Sequence, residues 1–362
     1  MREPRCTEPQ VIVPNLHWHY SGVTATSQAL LPIIGRMINT AWFGPDAPAG
    51  ASRLGLAALL RLRAKRGLVV WHARRNNDMI VGVLLKSLGW PLRLVFTSAA
   101  QRKHSRMTRW LISRMDAVIS TSQISASYLA RQCTVIHHGV DPENYKPADD
   151  RAVAYAETGL PGRYAIGCFG RVRKQKGTDI FVDAMCSLLP RYPEFSAVVV
   201  GAIAADEAGF AAELKARIAD AHLQSRIVLC GNLSTEEVRR WYQRIVIFAF
   251  TSRNDGFGIT LIEAMAAGAA VVASRAGAAE IVIENGSLGI LVPAGDAQAL
   301  GSAIETLMQD PVARAAMGAR GRTHVVSKFS LDAEASRIVE VYRLLLASPG
   351  VCEAEGYAES SR

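Results

Sequence analysis

Several things are missing from this sequence. Its six cysteines (Cys6, Cys133, Cys168, Cys186, Cys230 and Cys352) are scattered over 362 residues without a C-x-x-C pair. A disulfide framework and a zinc site are therefore not expected, and the thiols read as reduced core residues of a cytosolic protein. No uncharged apolar stretch approaches the length that spans a bilayer. The opening Met1–Gln10 is polar and lacks the apolar core of a signal peptide. No repeat of about 20 to 50 residues is evident, which disfavours solenoids and propellers. No G-x-x-x-x-G-K-[ST] occurs, so a P-loop NTPase is not expected.

Acidic residues are scarce in one region only. Between Met1 and Lys146, 19 lysines and arginines face 7 acidic residues, whereas 22 face 25 in the remainder. The overall +9 thus belongs to the first part of the chain. Nucleic acid, an anionic membrane surface or an acidic substrate would each suit such a charge. Nucleic acid is disfavoured, because no helix-turn-helix, zinc-finger or RNA-recognition signature accompanies it.

Hydrophobic residues make up 49% of the chain and charged residues 20%, a globular composition large enough for two domains. Short apolar runs alternate with helix-length segments, the pattern of α/β folds with parallel sheets. Strands are expected at 10–14, 67–71, 92–97, 117–121 and 134–137. A second series is expected at 164–169, 196–200, 227–230, 245–250, 270–273 and 289–291. Helical periodicity covers 178–189, 210–221 and 235–242, and a long C-terminal helix is expected over 330–346. The turn-rich Asp141-Pro-Glu-Asn-Tyr-Lys-Pro147 coincides with the charge switch. It divides an N-terminal domain, 1–142, from a C-terminal domain, 148–330. The tail from Ser348 reads as frayed.

Two segments carry chemistry. Gly170-Arg-Val-Arg-Lys-Gln-Lys-Gly177 follows an expected strand and precedes a helix. Glycines admit close backbone approach to an anion, a helix N-terminus favours negative charge, and Arg171 and Lys176 offer charge-assisted donors. A solvated basic turn is the plainer alternative. Asp255-Gly-Phe-Gly-Ile-Thr-Leu-Ile-Glu263 follows another strand and opens an apolar helix. Glu263 has apolar neighbours on nearly every side, and a carboxylate so placed needs partners. Two ligand hydroxyls would supply them, as would a local arginine. Asp255 is also ordinary turn and capping chemistry. Gly256-Phe257-Gly258 falls short of a dinucleotide fingerprint, because Leu261 stands at the third glycine position.

Taken together, the two motifs resemble the GT-B glycosyltransferases of family 4, with their G-R-x-x-x-x-K-G and E-x7-E signatures. Gly277–Ile281 and Glu284–Pro293 extend the likeness over most of 160–330. The resemblance implies two Rossmann-like domains with parallel sheets facing a central cleft, and a C-terminal helix, about 331–347, packing back on the N-domain. It also implies that Gly170, Arg171, Lys176, Gly256, Phe257, Gly258, Ile259 and Glu263 bind a nucleotide sugar, with Arg171 and Lys176 on the diphosphate and Glu263 on the ribose. Asp255 stands where the family has its first, sugar-contacting glutamate, one methylene shorter. In the first part, Ser21-Gly22-Val23-Thr24 resembles the family's N-terminal glycine loop, which places Gly22 near the donor phosphate. His138-Gly-Val-Asp141 resembles its N-G-V-D. No counterpart of the N-domain histidine stands at Thr97–Ala100.

Trp71-His-Ala-Arg-Arg-Asn76 and Phe96-Thr-Ser-Ala-Ala-Gln-Arg102 look like the lipopolysaccharide core mannosyltransferases of the LpcC type. That likeness implies GDP-mannose as donor, no further cofactor, and a 3-deoxy-octulosonic acid residue of the inner core as acceptor. His72, Arg74, Arg75, Asn76, Gln101, Arg102 and Lys103 are then the expected acceptor contacts, since they follow strand ends and arginine suits carboxylates and phosphates. Segment 102–115 reads as a basic amphipathic helix with Trp110 at a lipid interface, and Arg61–Arg66 adds a basic cluster. The expected location, with the likeness to core mannosyltransferases, is cytoplasmic and peripheral on the cytoplasmic face of the inner membrane; for the helix, a half-buried element with a solvated basic face is the alternative. The family implies transfer with retention, with Arg171, Lys176 and Asp255 at the reacting centre and no metal, in keeping with the absence of Asp-x-Asp. Two alternatives stand beside this reading: a UDP-glucose or UDP-galactose donor, and a weakly catalytic protein that binds anionic glycolipid.

Overall fold

The computed structural model describes residues 8–18, 22–65 and 67–347. Ser21, Arg66 and the tail from Ser348, all singled out above, lie outside the described residues. The chain forms two compact units, one of 1–136 with 331–362 and the other of 137–330. Segment 137–142, assigned above to the N-terminal domain, belongs to the second unit. Val140 shows why: its N–H donates to the carbonyl of Phe329 in that unit at 2.8 Å.

The first unit holds six parallel strands in the order β2-β1-β3-β4-β5-β6. These are β1 (Val11–Pro14), β2 (Thr40–Phe43), β3 (Val69–Ala73), β4 (Leu92–Ser98), β5 (Ala117–Ser120) and β6 (Thr134–Val135). β2 is an edge strand absent from the expected set. Helices α1 (Gly22–Met37), α2 (Leu56–Arg61), α3 (Asn76–Ser87), α4 (Arg106–Ser113) and α5 (Gln123–Ser127) connect the strands. The second unit has the order β12-β11-β10-β7-β8-β9, again all parallel. Its strands are β7 (Tyr164–Phe169), β8 (Phe195–Val200), β9 (Ile227–Gly231), β10 (Ile245–Phe250), β11 (Ala270–Ser274) and β12 (Ile290–Val292). Its helices are α6 (Arg151–Ala156), α7 (Thr178–Leu188), α8 (Ala208–Asp220), α9 (Thr235–Arg244), α10 (Ile259–Ala266), α11 (Ala279–Val282), α12 (Ala297–Gln309) and α13 (Pro311–Lys328). The last helix, α14 (Leu331–Ala347), returns to the first unit.

Both sheets are covered on both faces, which is why their strands read as unbroken apolar runs. Along β7, Ile166 and Cys168 enter one core with Phe181, Met185 and Ile304, while Ala165 and Phe169 enter the other with Tyr242, Phe248 and Leu261. In the first unit, Val11, Val70 and Val95 face α1 and α14. Ile12, Trp71 and Leu94 face the opposite way, toward Leu59, Met79, Leu111 and Ile112. On α14, Ala335, Ile338, Val339 and Tyr342 are buried at helical spacing, as their periodicity required.

The strand orders locate two switch points. In the second sheet the connections run outward in opposite directions from β7 and β10, and in the first from β1 and β3. Open α/β sheets bind ligands in the crevice at the carboxyl ends of such strands.

Candidate functional site

The loops after β7 and β10 are the two motif segments, and hydrogen bonds join them. Thr251 Oγ1 donates to the Lys176 carbonyl at 2.8 Å, and Arg253 N–H to the Gln175 carbonyl at 2.9 Å. Gln175 Nε2 donates to the Asn254 carbonyl at 3.1 Å. The Arg253 guanidinium grips both oxygens of Asp179 at 2.7 and 2.8 Å. Burial is the largest single influence on the Asp179 carboxyl and raises its pKa, but the hydrogen bonds and charge of Arg253, with the amides of Asp179 and Ile180, together hold it below the usual carboxylate range.

Glycine is required where the loops cross. Gly177 has φ +69°, and a Cβ there would lie 1.9 Å from the Thr251 carbonyl oxygen. At Gly201, after β8, a Cβ would lie 1.9 Å from the Gly170 carbonyl oxygen. The backbone at this end of the sheet therefore carries no side chain at its closest approaches.

Lys176 Nζ and the Asp255 carboxylate form an ion pair, and Ser252 Oγ donates to the same carboxylate at 3.1 Å. Arg171 is exposed, whereas Arg173 and Lys176 are half-buried. Burial and the neighbouring Arg171 charge lower the pKa of Arg173, partly offset by Glu207 and Asp255. With exposed Lys174, four cations thus share one loop, and Lys176 already has a carboxylate partner.

Gly258, at φ +100°, caps the N-terminus of α10, whose first amides follow it. Phe257, expected among the donor contacts, is buried against His138, ring centroids 5.4 Å apart. Its carbonyl accepts from Ala278 N–H at 2.7 Å, and its buried ring belongs to the core. Gly277 packs beside it, where a Cβ would lie 3.3 Å from the Asp255 Cβ.

Glu263 lies one turn along α10. The unit itself supplies a partner: Tyr242 OH donates to Glu263 Oε2 at 2.7 Å. Burial raises the Glu263 pKa, while hydrogen bonds from Tyr242 and Tyr145 and the charge of Arg239 oppose the rise. Sequence reasoning missed these three residues. Arg239 and Tyr242 are three apart on α9 and so share a face, which was a usable signal. Tyr145 was read only as part of a turn.

The basic segments of the first unit separate into structural and exposed groups. His72 is 1% exposed. Its ring nitrogens lie 2.5 Å from Tyr342 OH and 2.7 Å from Thr97 Oγ1. Burial, and then Arg74, lower its pKa well below the usual histidine value. The expected acceptor contact at His72 is therefore a neutral core histidine joining β3, β4 and α14. Arg75 lies at the β1/β3 switch point, but donates to Asn15 Oδ1 at 2.6 Å and Thr24 Oγ1 at 2.8 Å. Asn76 donates to Thr108 Oγ1 at 3.0 Å, tying α3 to α4. Asp78 accepts from the amides of Leu16, Arg74 and Arg75. Arg102 and Lys103 are exposed, and Arg74 and Gln101 half-buried. Gly22 opens α1, with nothing within 4 Å of a built Cβ, so packing does not demand glycine there.

Comparisons with known proteins identify the family. Residues 156–324 match the family model described as glycosyl transferases group 1. The chain is 46% identical over 348 residues to the lipopolysaccharide core biosynthesis mannosyltransferase LpcC of Rhizobium leguminosarum bv. viciae, covering 95% of this chain and 98% of the relative.

This chain belongs to the glycosyl transferases of group 1.

It is also 40% identical over 347 residues to the lipopolysaccharide core biosynthesis mannosyltransferase LpsB of Rhizobium meliloti (strain 1021), covering 93% of this chain and 98% of that one. Among solved structures, Anabaena Alr3699/HepE in complex with UDP and glucose superposes with a TM-score of 0.79 at 22% identity, covering 93% of this chain and all of that one. That likeness is one of fold, GT-B. The chain is a glycosyltransferase, and the β7 and β10 loops lie within the matched region. No helix among the described residues is long and apolar enough to cross a membrane.

Proposed function

We propose that this glycosyltransferase moves mannose from GDP-mannose to a 3-deoxy-octulosonic acid residue of the lipopolysaccharide inner core, with retention of anomeric configuration. The convergence of the β7 and β10 loops at the switch point, with Lys176 against Asp255 beside the start of α10, carries the reading. The relatives named for core mannosylation support the choice of sugar and acceptor.

In this reading the donor diphosphate lies over the bare backbone at Gly170 and Gly177. Lys176 then exchanges part of its interaction with Asp255 for the phosphate oxygens, and Arg171 supplies a second cation. Charge developing on the departing diphosphate is stabilised by these cations and by the first amides of α10. Asp255, released in part from Lys176, contacts the sugar. Glu263, positioned by Tyr242, accepts from the ribose hydroxyls. An acceptor hydroxyl attacks the anomeric carbon from the face the diphosphate leaves, and the hydroxyl proton goes to the leaving diphosphate. Arg74, Gln101, Arg102 and Lys103 remain the acceptor-facing candidates, with Arg75 and Asn76 positioning their loop.

The exposed basic surface of the first unit also supports contact with an anionic membrane. Trp110 and Met107 on α4 are 51% and 53% exposed, beside exposed Arg106 and Arg109. Ile80 and Leu84 on α3 and Leu88 at its C-cap are exposed at four-residue spacing, forming one apolar stripe.

Calorimetric titration with GDP and with UDP, followed by transfer from GDP-mannose to deep-core lipopolysaccharide, tests the reading. GDP binding and acceptor-dependent GDP release are the expected outcomes. Binding of UDP alone would reassign the donor. Binding without any transfer would leave a glycolipid-binding protein.

A further inference from the structure

An open recess with a cavity volume of about 60 Å³ lies between α4 and the segment that follows α5. Its walls include apolar Ile112, Leu129 and Ala130, the ring of Tyr128, and the cations Arg109 and Arg131. Arg131 is fixed in place, donating to the carbonyls of Ile112 at 3.1 Å and Met115 at 2.8 Å. Arg109 is exposed and has no ion-pair partner among the described residues. The nearest acidic group in sequence, Asp116, is taken by Lys86 and Arg93. His104 also lines the recess, and its Nε2 is buried without a hydrogen-bond partner. Met107 and Trp110 are exposed on other faces of the same helix.

An apolar floor, a cationic rim and an unsatisfied buried imidazole nitrogen describe one kind of guest. We propose that this recess binds the phosphodiester headgroup of an anionic phospholipid. The phosphate is held by Arg109 with His104, and the adjoining glycerol and first acyl carbons rest on Ile112, Leu129 and Tyr128. This places a defined lipid site inside the membrane contact proposed above, and it rests on that contact but not on the identity of donor or acceptor. The exposed Trp110 and Met107 of the same helix favour a lipid over a soluble phosphate, because they find an apolar medium only at a bilayer.

The test is flotation of the full chain with vesicles of equal parts phosphatidylcholine and phosphatidylglycerol. A single basic residue near an anionic surface contributes about 1 kcal/mol, roughly fivefold in affinity. Arg106→Gln, which removes an exposed charge outside the recess, is expected to lower binding by about that factor. Arg109→Gln is expected to lower it more than about tenfold, since it removes a direct phosphate bond as well. Ser113→Phe fills the recess without changing charge, and is expected to weaken binding likewise. If it fails to fold by circular dichroism, Ala130→Phe fills the recess from the opposite wall. Equal losses for Arg109→Gln and Arg106→Gln, or full binding by a folded filling variant, would overturn the site. Displacement of vesicles by millimolar inorganic phosphate would overturn the lipid assignment. Transfer to delipidated core oligosaccharide is expected to be unchanged in every variant. Loss of transfer in the unmodified chain would strike the proposed function and leave the vesicle result standing.

Discussion

Replacing Gly177 by alanine tests whether the phosphate loop is held by a backbone crossing or only by its charges. At φ +69° an alanine pays about 1–2 kcal/mol in the left-handed region. Its Cβ also meets the Thr251 carbonyl at 1.9 Å, and a carbonyl in the chain cannot swing aside as a side chain would. Relief requires the loops to part, which gives up Thr251 Oγ1 to Lys176 O and Arg253 N to Gln175 O, each worth about 1 kcal/mol. The total is about 3–4 kcal/mol. For a unit of this size about 2–4 °C is lost per kcal/mol, so the melting temperature should fall by roughly 6 to 16 °C. Differential scanning calorimetry reads the fall, and titration with GDP reads the displacement of Lys176 from its donor position as weaker binding. Gly22→Ala is the internal control, since nothing lies near its Cβ and its stability should be unchanged. A melting point within about 2 °C of the parent and an unaltered GDP affinity for Gly177→Ala would refute the reasoning.

Lys176→Ala should keep the fold and lower transfer by about 10²–10³, the usual effect of losing one donor to developing charge; normal turnover by the purified variant would remove Lys176 from the phosphate. Burial raises the folded-state pKa of Glu263, so its ionisation opposes folding, and stability falls as pH rises from the unfolded value of about 4.3 through the raised one. Glu263→Gln should abolish that fall in thermal melts taken across the acid range, and should weaken GDP binding about tenfold by removing a charged acceptor; unchanged affinity would separate Glu263 from the ribose. His72 has the opposite sign, because its folded pKa is depressed. Its contribution is present above about pH 6.5 and is lost as pH falls toward the depressed value, so His72→Gln should flatten the acid decline in melting temperature; parallel curves would show that His72 does not govern it.

Much of the fold was legible because both sheets are buried on two faces. Runs such as Tyr164–Phe169 and Ile245–Phe250 are apolar without interruption, and the structure places β7 and β10 on those residues. β2 was not legible. Thr40–Phe43 follows α1 after a short break and lies at the sheet edge, so its four residues give no alternation to read. In the candidate site, glycines and charges were visible, since their spacing is local. Their partners were not, because they come from far along the chain: Asp255 reaches Lys176, and Tyr242 reaches Glu263. His72 misled for a related reason. Its neighbours Arg74 and Arg75 suggested a surface, but β3 is covered on both faces, and the face His72 takes lies under α14, against Tyr342, a residue 270 positions away.

That last distance has a consequence for biogenesis. The first sheet begins with β1, yet α14, which covers Val11, Val70 and Val95, is made only after the second unit. A ribosome therefore releases the entire second unit before the first can close its apolar face. The emerging first unit carries an uncovered patch until the second unit has been made. Trimming the chain just before Leu331 should consequently yield aggregation of the first unit, while the second, whose sheet and helices are contiguous in sequence, completes itself on schedule.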